Sequence, residues 1–315
     1  MLSRVEIRPF RNSDLPQVIA LLSATMVGEA IDTSRFTRQI LLDANFNPQG
    51  APVAVEGSQI VGFMLSLARQ VPLENAPSDA ERGYITLFGV APSHQRRGVA
   101  SNLLNAAETY LRSHNKKIAM VSSYAPNYFI PGIDVNLYEP ALKFLTKHGY
   151  KEIYRPIAME CPLWQLPVPA WIQERDAKLG SDRVTIENYH AGLTLALLEF
   201  TRAEFPGDWV RVVRQVAERI LLGENPARLI VAHENGKVVG FSHFDAERFG
   251  PIGVGANQRG RGIGQVLMYR TLIAQRNNGY RTAFFLWSDD KTAARLYTAA
   301  GFREVRRFAL MKKEL

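Results

Sequence analysis

A single cysteine, Cys161, stands in the 315 residues. That scarcity excludes an intrachain disulfide and a multi-cysteine zinc site, and its setting near a strand end suits a small buried hydrophobe. No apolar run reaches the roughly 18 residues that a membrane span needs. The opening Met1-Leu2-Ser3-Arg4-Val5-Glu6 lacks the basic-then-apolar order of a secretory signal. Blocks of one charge are also missing. The net charge is +8, yet the arginines are scattered among acidic residues, and no aromatic-basic stripe of the kind that tracks nucleic acid occurs. These absences predict a cytoplasmic chain, monomeric or homodimeric, with neither membrane nor nucleic acid as partner and no metal. The length gives room for two domains, each able to bury a core.

What is present is concentrated in one loop. Gly253-Val254-Gly255-Ala256-Asn257-Gln258-Arg259-Gly260-Arg261-Gly262-Ile263-Gly264 runs from a short apolar strand through glycines and arginines into an apolar-periodic helix. Such a turn gathers backbone N–H groups and a helix N-terminus around one point, which favours a phosphate. A second copy, Gly89-Val90-Ala91-Pro92-Ser93-His94-Gln95-Arg96-Arg97-Gly98-Val99-Ala100, lies 164 positions earlier. Two other readings compete. A dinucleotide fingerprint needs its glycines after the first strand of a βαβ unit, whereas two hairpin-forming strands precede this loop. A glycine-rich helix cap without a ligand is the other.

The repeat extends beyond the loops. Val53–Phe63 matches Val231–Phe241 at an offset of 178, and both segments read as hairpins, Asn235-Gly236 favouring a type I′ turn. Val5–Arg8 and Val184–Glu187 alternate like half-buried strands. Offsets falling from 178 to 164, and then to 152 at the last helix, give the first half 14 extra residues around 70–82 and 12 around 123–135. Thr282–Trp287 reads as a compact buried strand, and residues 291–300 as a helix ended by Gly301. Between the halves, Pro162–Trp171 is proline-rich and carries Trp164 and Trp171. It predicts an extended connector pinned to a domain surface. The expected domains are therefore 1–162 and 183–315, joined by 163–182.

The loops resemble motif A of the GNAT (Gcn5-related N-acetyltransferase) superfamily, Arg/Gln-x-x-Gly-x-Gly/Ala after a strand ending in Val. The matches are Arg259-Gly260-Arg261-Gly262-Ile263-Gly264 and Gln95-Arg96-Arg97-Gly98-Val99-Ala100. The resemblance implies an α/β fold (an α+β mixed sheet) of two tandem GNAT-like domains. Each would be a mostly antiparallel sheet with a splayed central strand pair flanked by helices, a build similar to mycothiol synthase and bacterial glucosamine N-acetyltransferases. It implies acetyl-CoA as cofactor, with the diphosphate on the loop amides and the pantetheine arm along the preceding strand. Val90, Ile252, Gly253 and Val254 would line that arm.

Acetyl transfer to an amine requires a neutral amine, donors for the developing oxyanion, and a proton for the thiolate. Asp290–Phe302 resembles the family's last motif, Asn-x-x-Ala-x-x-x-Tyr-x-x-x-Gly-Phe, which gives Tyr297 the general-acid role and puts Asp290 at a CoA contact. In the first half Leu145 stands opposite Tyr297, so that copy is expected to be weakened, with Tyr124 or Tyr138 as substitute acids. Many members of that family carry a Glu as general base six residues before the strand-ending Val. Here that position is Arg248, or Tyr84 in the first half, which leaves Glu247, one residue off, and His243 as candidates. Asp245 and Asp289 would line the acceptor site, while Trp209, Trp287, Tyr128 and Phe129 offer stacking surfaces for a sugar. The predicted function is N-acetylation of a small primary amine, with an amino sugar as one acceptor. A non-catalytic acyl-CoA-binding protein and a lysine or N-terminal protein acetyltransferase are the alternatives.

Overall fold

A computed structural model describes residues 5–76, 79–122, 124–289 and 292–315, without the side chains of Pro226, Thr292 and Ala293. The chain forms two compact units. The first comprises Met1–Pro72, Ser78–Pro156 and Arg307–Leu315, and the second Leu73–Pro77 and Ile157–Arg306. The expected division at 163–182 is sequential, whereas neither unit is.

The first unit begins with β1 (Glu6–Pro9), α1 (Leu15–Thr25) and α2 (Thr33–Phe36). The strands β2 (Pro52–Glu56), β3 (Gln59–Ala68) and β4 (Arg82–Val90) follow. These four strands pair antiparallel in chain order. After α3 (Val99–Ser113), β5 (Ile118–Val121) runs parallel to β4, but the pairing covers only Arg82 to Tyr84. Beyond Tyr84 the two strands part. Then come β6 (Ile133–Asp134), α4 (Glu139–Lys147) and β7 (Lys151–Tyr154). The core lies between the sheet and α3, where Leu103, Leu104, Ala107 and Leu111 pack on Met64, Ile85 and Ala119.

The second unit repeats this plan. It contains β8 (Ile157–Pro162), α5 (Ala170–Ser181), β9 (Val184–Asn188), α6 (Thr194–Glu204), α7 (Asp208–Leu221), β10 (Leu229–Glu234), β11 (Lys237–Asp245), β12 (Arg248–Val254), α8 (Ile263–Asn277), β13 (Thr282–Ser288) and α9 (Thr292–Ala299). β9 to β12 pair antiparallel in turn, while β12 and β13 are parallel and meet at Arg248 and Phe284 before diverging. Both hairpins close with two-residue turns, Asn235 and Gly236 having φ of 49° and 80°, as a type I′ turn requires.

β8 pairs antiparallel with β13 in the second unit. The final strand β14 (Arg303–Glu314) sends Met311–Glu314 alongside β5, and Leu310–Lys312 along β7, in the first. Within its own unit each diverging inner strand thus gains an antiparallel neighbour, which satisfies backbone groups that would otherwise template association.

Only residues 166–169 of the connector are free of helix and strand between a 3-10 turn at Leu163–Gln165 and the helix that follows. α5 starts directly after Pro169 and buries Ile172 and Leu179. Trp171 packs edge-on against Tyr269 with centroids 6.1 Å apart, but Trp164 is 65% exposed and pins nothing. The first-half insertion is informative in the same way, because residues 73–77 belong to the second unit. Gly207 N–H donates to the Glu74 carbonyl at 2.8 Å, and the Glu74 carboxylate pairs with Arg202 at 2.8 Å and with Arg214. In the later insertion Tyr124 and Phe129 are buried, Tyr124 bonding Asp43 and Asn45.

Candidate active site

The candidate site is built on the splayed strand β12. Its register with β11 runs Gly240–Val254, Phe241–Gly253 and Ser242–Ile252, then shifts to Phe244–Phe249. β12 therefore carries one extra residue, a bulge at Gly250–Pro251, where a strand bends. Gly255 N–H donates to the Val239 carbonyl at 3.0 Å. Because antiparallel pairs alternate, Gly253 also turns its amide to β11, while the amides of Ile252 and Val254 face the divergence. Two outward donors lie there, and Gly253 contributes closeness instead: a Cβ on it would meet Phe205 at 2.6 Å and Trp209 at 3.1 Å. β4 repeats the device. Ala91 N–H donates to Val61 at 2.9 Å, and the register shift at Leu65–Ser66 leaves Thr86 extra.

Both loops then adopt one shape. In the second unit Gly260 and Gly262 have φ of 81° and 88°, and in the first Arg96 and Gly98 have 60° and 82°. A non-glycine held left-handed, as Arg96 is, costs of the order of 1 kcal/mol and marks a conformation the surroundings impose. Gly262 caps α8 with no side-chain bond, and the first helical bonds are those of Gln265 and Val266 N–H to the Gly262 carbonyl. The amides of 260–264 therefore project from a helix N-terminus without an intrahelical partner. Arg261 is held by Glu234 at 3.3 Å and Arg97 by Glu56 at 3.5 Å. Glu56 and Glu234 are the matching last residues of β2 and β10. An outward-facing amide row, left-handed corners and a pinned arginine fit a diphosphate. In the first loop Gln95 donates to the Val90 carbonyl at 3.1 Å, and Val99 and Ala100 begin α3.

Tyr297 sits on α9 among Phe285, Phe302 and Phe249, with centroids at 4.5, 5.6 and 6.2 Å. Burial, with a smaller contribution from Asp289, pushes its phenol up to about 12, so it is protonated at neutral pH. Its hydroxyl has no hydrogen-bond partner among the described residues. Leu145, its counterpart on α4, is fully buried core. The expected substitutes are engaged: Tyr138 accepts the Gly28 amide at 3.1 Å, and Tyr124 donates to Asp43 at 3.1 Å. Asp290 lies outside the described residues.

The base candidates fare differently from expectation. Glu247 is exposed in the β11–β12 turn, and its carbonyl accepts Phe284 N–H at 2.9 Å. The bulge falls after it and does not bring its carboxylate inward. His243 is buried, its Nδ1 3.1 Å from the Gly250 carbonyl at the bulge and its Nε2 without a partner among the described residues. Burial lowers its pKa to about 4, against the Gly250 bond and Asp245, which raise it, so the ring is neutral and a poor proton acceptor. Asp245 is paired with Arg219 at 3.3 Å and Arg228 at 3.0 Å, which removes it from any acidic lining. Trp209 stacks on Phe205 at 4.7 Å, and Trp287 is 41% exposed. Asp289 is partly buried next to Ser288.

The His243 burial has a measurable consequence. A depressed histidine stabilises the fold above its unfolded pKa of about 6.5, and that stability is lost as pH falls toward 4. Tm is expected to drop across this window, and less steeply in His243→Gln. Parallel slopes for the two proteins in calorimetric melts would contradict the assignment.

Residues 6–130 match a family model described as an acetyltransferase (GNAT) domain, and residues 225–304 match a second model of the same description. No curated protein sequence matches the chain. Among solved structures it is similar to a GCN5-related glucosamine N-acetyltransferase region of a fungal multi-domain GH3 β-N-acetylglucosaminidase. Identity is 20% and the TM-score 0.80, over 99% of this chain and 38% of that one, so the chain spans well under half of that relative. It is also similar to a GCN5-related N-acetyltransferase from Sphaerobacter thermophilus, at 20% identity and TM-score 0.72, over 98% and 95% of the two chains. A tandem GNAT protein from the clavulanic acid biosynthesis pathway matches at 17% identity and TM-score 0.63, over 99% and 98%. At these identities the structural likenesses establish the fold, and the two family models together with it show that the chain belongs to the GNAT family of acyltransferases, with two GNAT domains in tandem.

Proposed function

We propose that the second unit is the catalytic one and transfers an acetyl group from acetyl-CoA to the primary amine of a small molecule. One observation carries this reading: Tyr297, whose phenol has no hydrogen-bond partner among the described residues, stands in the second unit where the first has Leu145. Family members use acetyl-CoA, which supplies the acetyl group as a reactive thioester. Arg259 to Gly264 would hold its diphosphate, the outward amides of Ile252 and Val254 its arm and carbonyl, and Tyr297 would give a proton to the departing sulfur. Fixing the reactants in this way is worth up to roughly 7–11 kcal/mol of barrier. The first loop keeps the cradle shape and is proposed to bind CoA without turnover.

Neither Glu247 nor His243 is suited to act as base, so the amine loses its proton to solvent. kcat/KM is then expected to climb with pH up to the pKa of the acceptor itself. A plateau fixed near one pH for acceptors of different pKa would point to a protein base instead.

A small acceptor is favoured by the segment 73–77. Glu74 clamps the α6–α7 corner beside Phe205 and Trp209, and amino sugars are the acceptors to test first. Glu74→Ala should raise KM for the amine several-fold and speed amide exchange at 205–210, with acetyl-CoA affinity unchanged. Turnover across amino sugars, polyamines and peptides tests the class. Peptide turnover exceeding that of every small amine would remove this reading.

A further inference from the structure

We infer that Arg175, on the connector helix α5, forms an additional wall of the second cradle and contacts the diphosphate of acetyl-CoA. The inference rests on the proposal that the loop at 259–264 binds that cofactor. Arg175 lies against the left-handed corner of the loop: a Cβ on Gly262 would come within 2.3 Å of its Cδ and 2.7 Å of its Nη1. Nη1 donates to Gln265 Oε1 in the first turn of α8 at 2.8 Å, and the guanidinium stands over the Trp171 ring at 5.3 Å. The neighbouring Asp176 accepts from Arg270 of α8 at 2.9 Å, and buried Ile172 and Leu179 anchor the same helix. Arg175 is thus delivered to this point by a fixed scaffold.

Its placement is electrostatically adverse as it stands. The N-terminus of α8 is the positive end of the helix dipole, and Arg259 and Arg261 are already there. Arg261 is neutralised by Glu234, but among the described residues no carboxylate pairs with Arg175. A guanidinium held by an amide oxygen and a ring, at a helix N-terminus, gains most from an anion bound between it and the loop amides. The first unit has no equivalent, since a Cβ on Gly98 would meet nothing within 4 Å. Arg175 also falls outside both stretches matched to the family models, so this contact belongs to the connector.

Calorimetric titration of the full chain with CoA, dephospho-CoA and pantetheine tests the inference, using Arg175→Ala and Arg175→Lys. The alanine variant should bind CoA and dephospho-CoA more weakly by one common factor, roughly tenfold or more for a lost charge-assisted contact. Pantetheine binding should be unaffected, and lysine should restore most of the loss. Circular dichroism melts establish that each variant is folded, and the lysine variant keeps the cation if alanine loosens α5. Unchanged CoA affinity in Arg175→Ala overturns the inference, as does a loss seen with CoA and absent with dephospho-CoA. If the unaltered protein takes up no CoA, the cradle reading itself fails, a result separate from either.

Discussion

Tyr297→Phe is expected to lower kcat by roughly 10²–10⁴-fold, the usual contribution of a positioned proton donor, while acetyl-CoA affinity stays unchanged. The substitution is unusually clean here. The ring packs with Phe249, Phe285 and Phe302, and a phenylalanine preserves that cluster, while the removed hydroxyl has no partner among the described residues to be left unsatisfied. Tm should therefore hold or rise slightly. With its phenol pushed up to about 12, the acid is fully loaded across any ordinary assay pH, so kcat should show no limb from its deprotonation below about pH 11. Steady-state kinetics alongside calorimetric binding makes the measurement. An unchanged kcat would favour a packing role for Tyr297 and, with no turnover in either protein, a non-catalytic acyl-CoA-binding function.

The second large effect concerns the cradle. Gly262→Val should weaken acetyl-CoA binding at the second cradle by more than about tenfold. Holding a non-glycine residue left-handed costs roughly 1–3 kcal/mol, and 1.4 kcal/mol is already a factor of ten. The loop relieves that strain by turning its amides away from the diphosphate. Here a side chain at 262 also displaces Arg175. Gly98→Val carries the same backbone strain at φ 82° but meets nothing, and it belongs to the unit without the tyrosine. At acetyl-CoA concentrations near the unaltered protein's Kd, turnover should survive Gly98→Val and fall about as much as binding does in Gly262→Val. Equal losses in both would mean that the two cradles act as one system.

Local pattern carried much of this in the sequence. Alternating residues bounded by Gly57-Ser58 and Asn235-Gly236 specify the hairpins, and the glycines of the loop specify its left-handed corners, because in each case the signal and the structure lie within a dozen residues. The drifting repeat offset also located both insertions. What was illegible is long-range. β14 alternates in the same way whichever sheet receives it, so nothing in its residues assigns Met311–Glu314 to β5. Glu74 shows no partner in its own neighbourhood, since Arg202 and Arg214 are more than a hundred positions away. Residue type alone made His243 a base candidate and Asp245 an acceptor contact, but it could reveal neither the burial of the first nor the arginines that meet the second. The connector helix hides behind prolines that look like a spacer, although Pro169 in fact serves as its N-cap.

The second loop and the end of β12 are proposed to grip acetyl-CoA. Amide hydrogen exchange with and without acetyl-CoA tests it most directly, because the groups said to bind are exchangeable amides. Protection is expected at Ile252, Val254 and 260–264, and it should be lost in Gly262→Val. Binding that leaves those amides exchanging at their free rate would mean that the cofactor is held elsewhere.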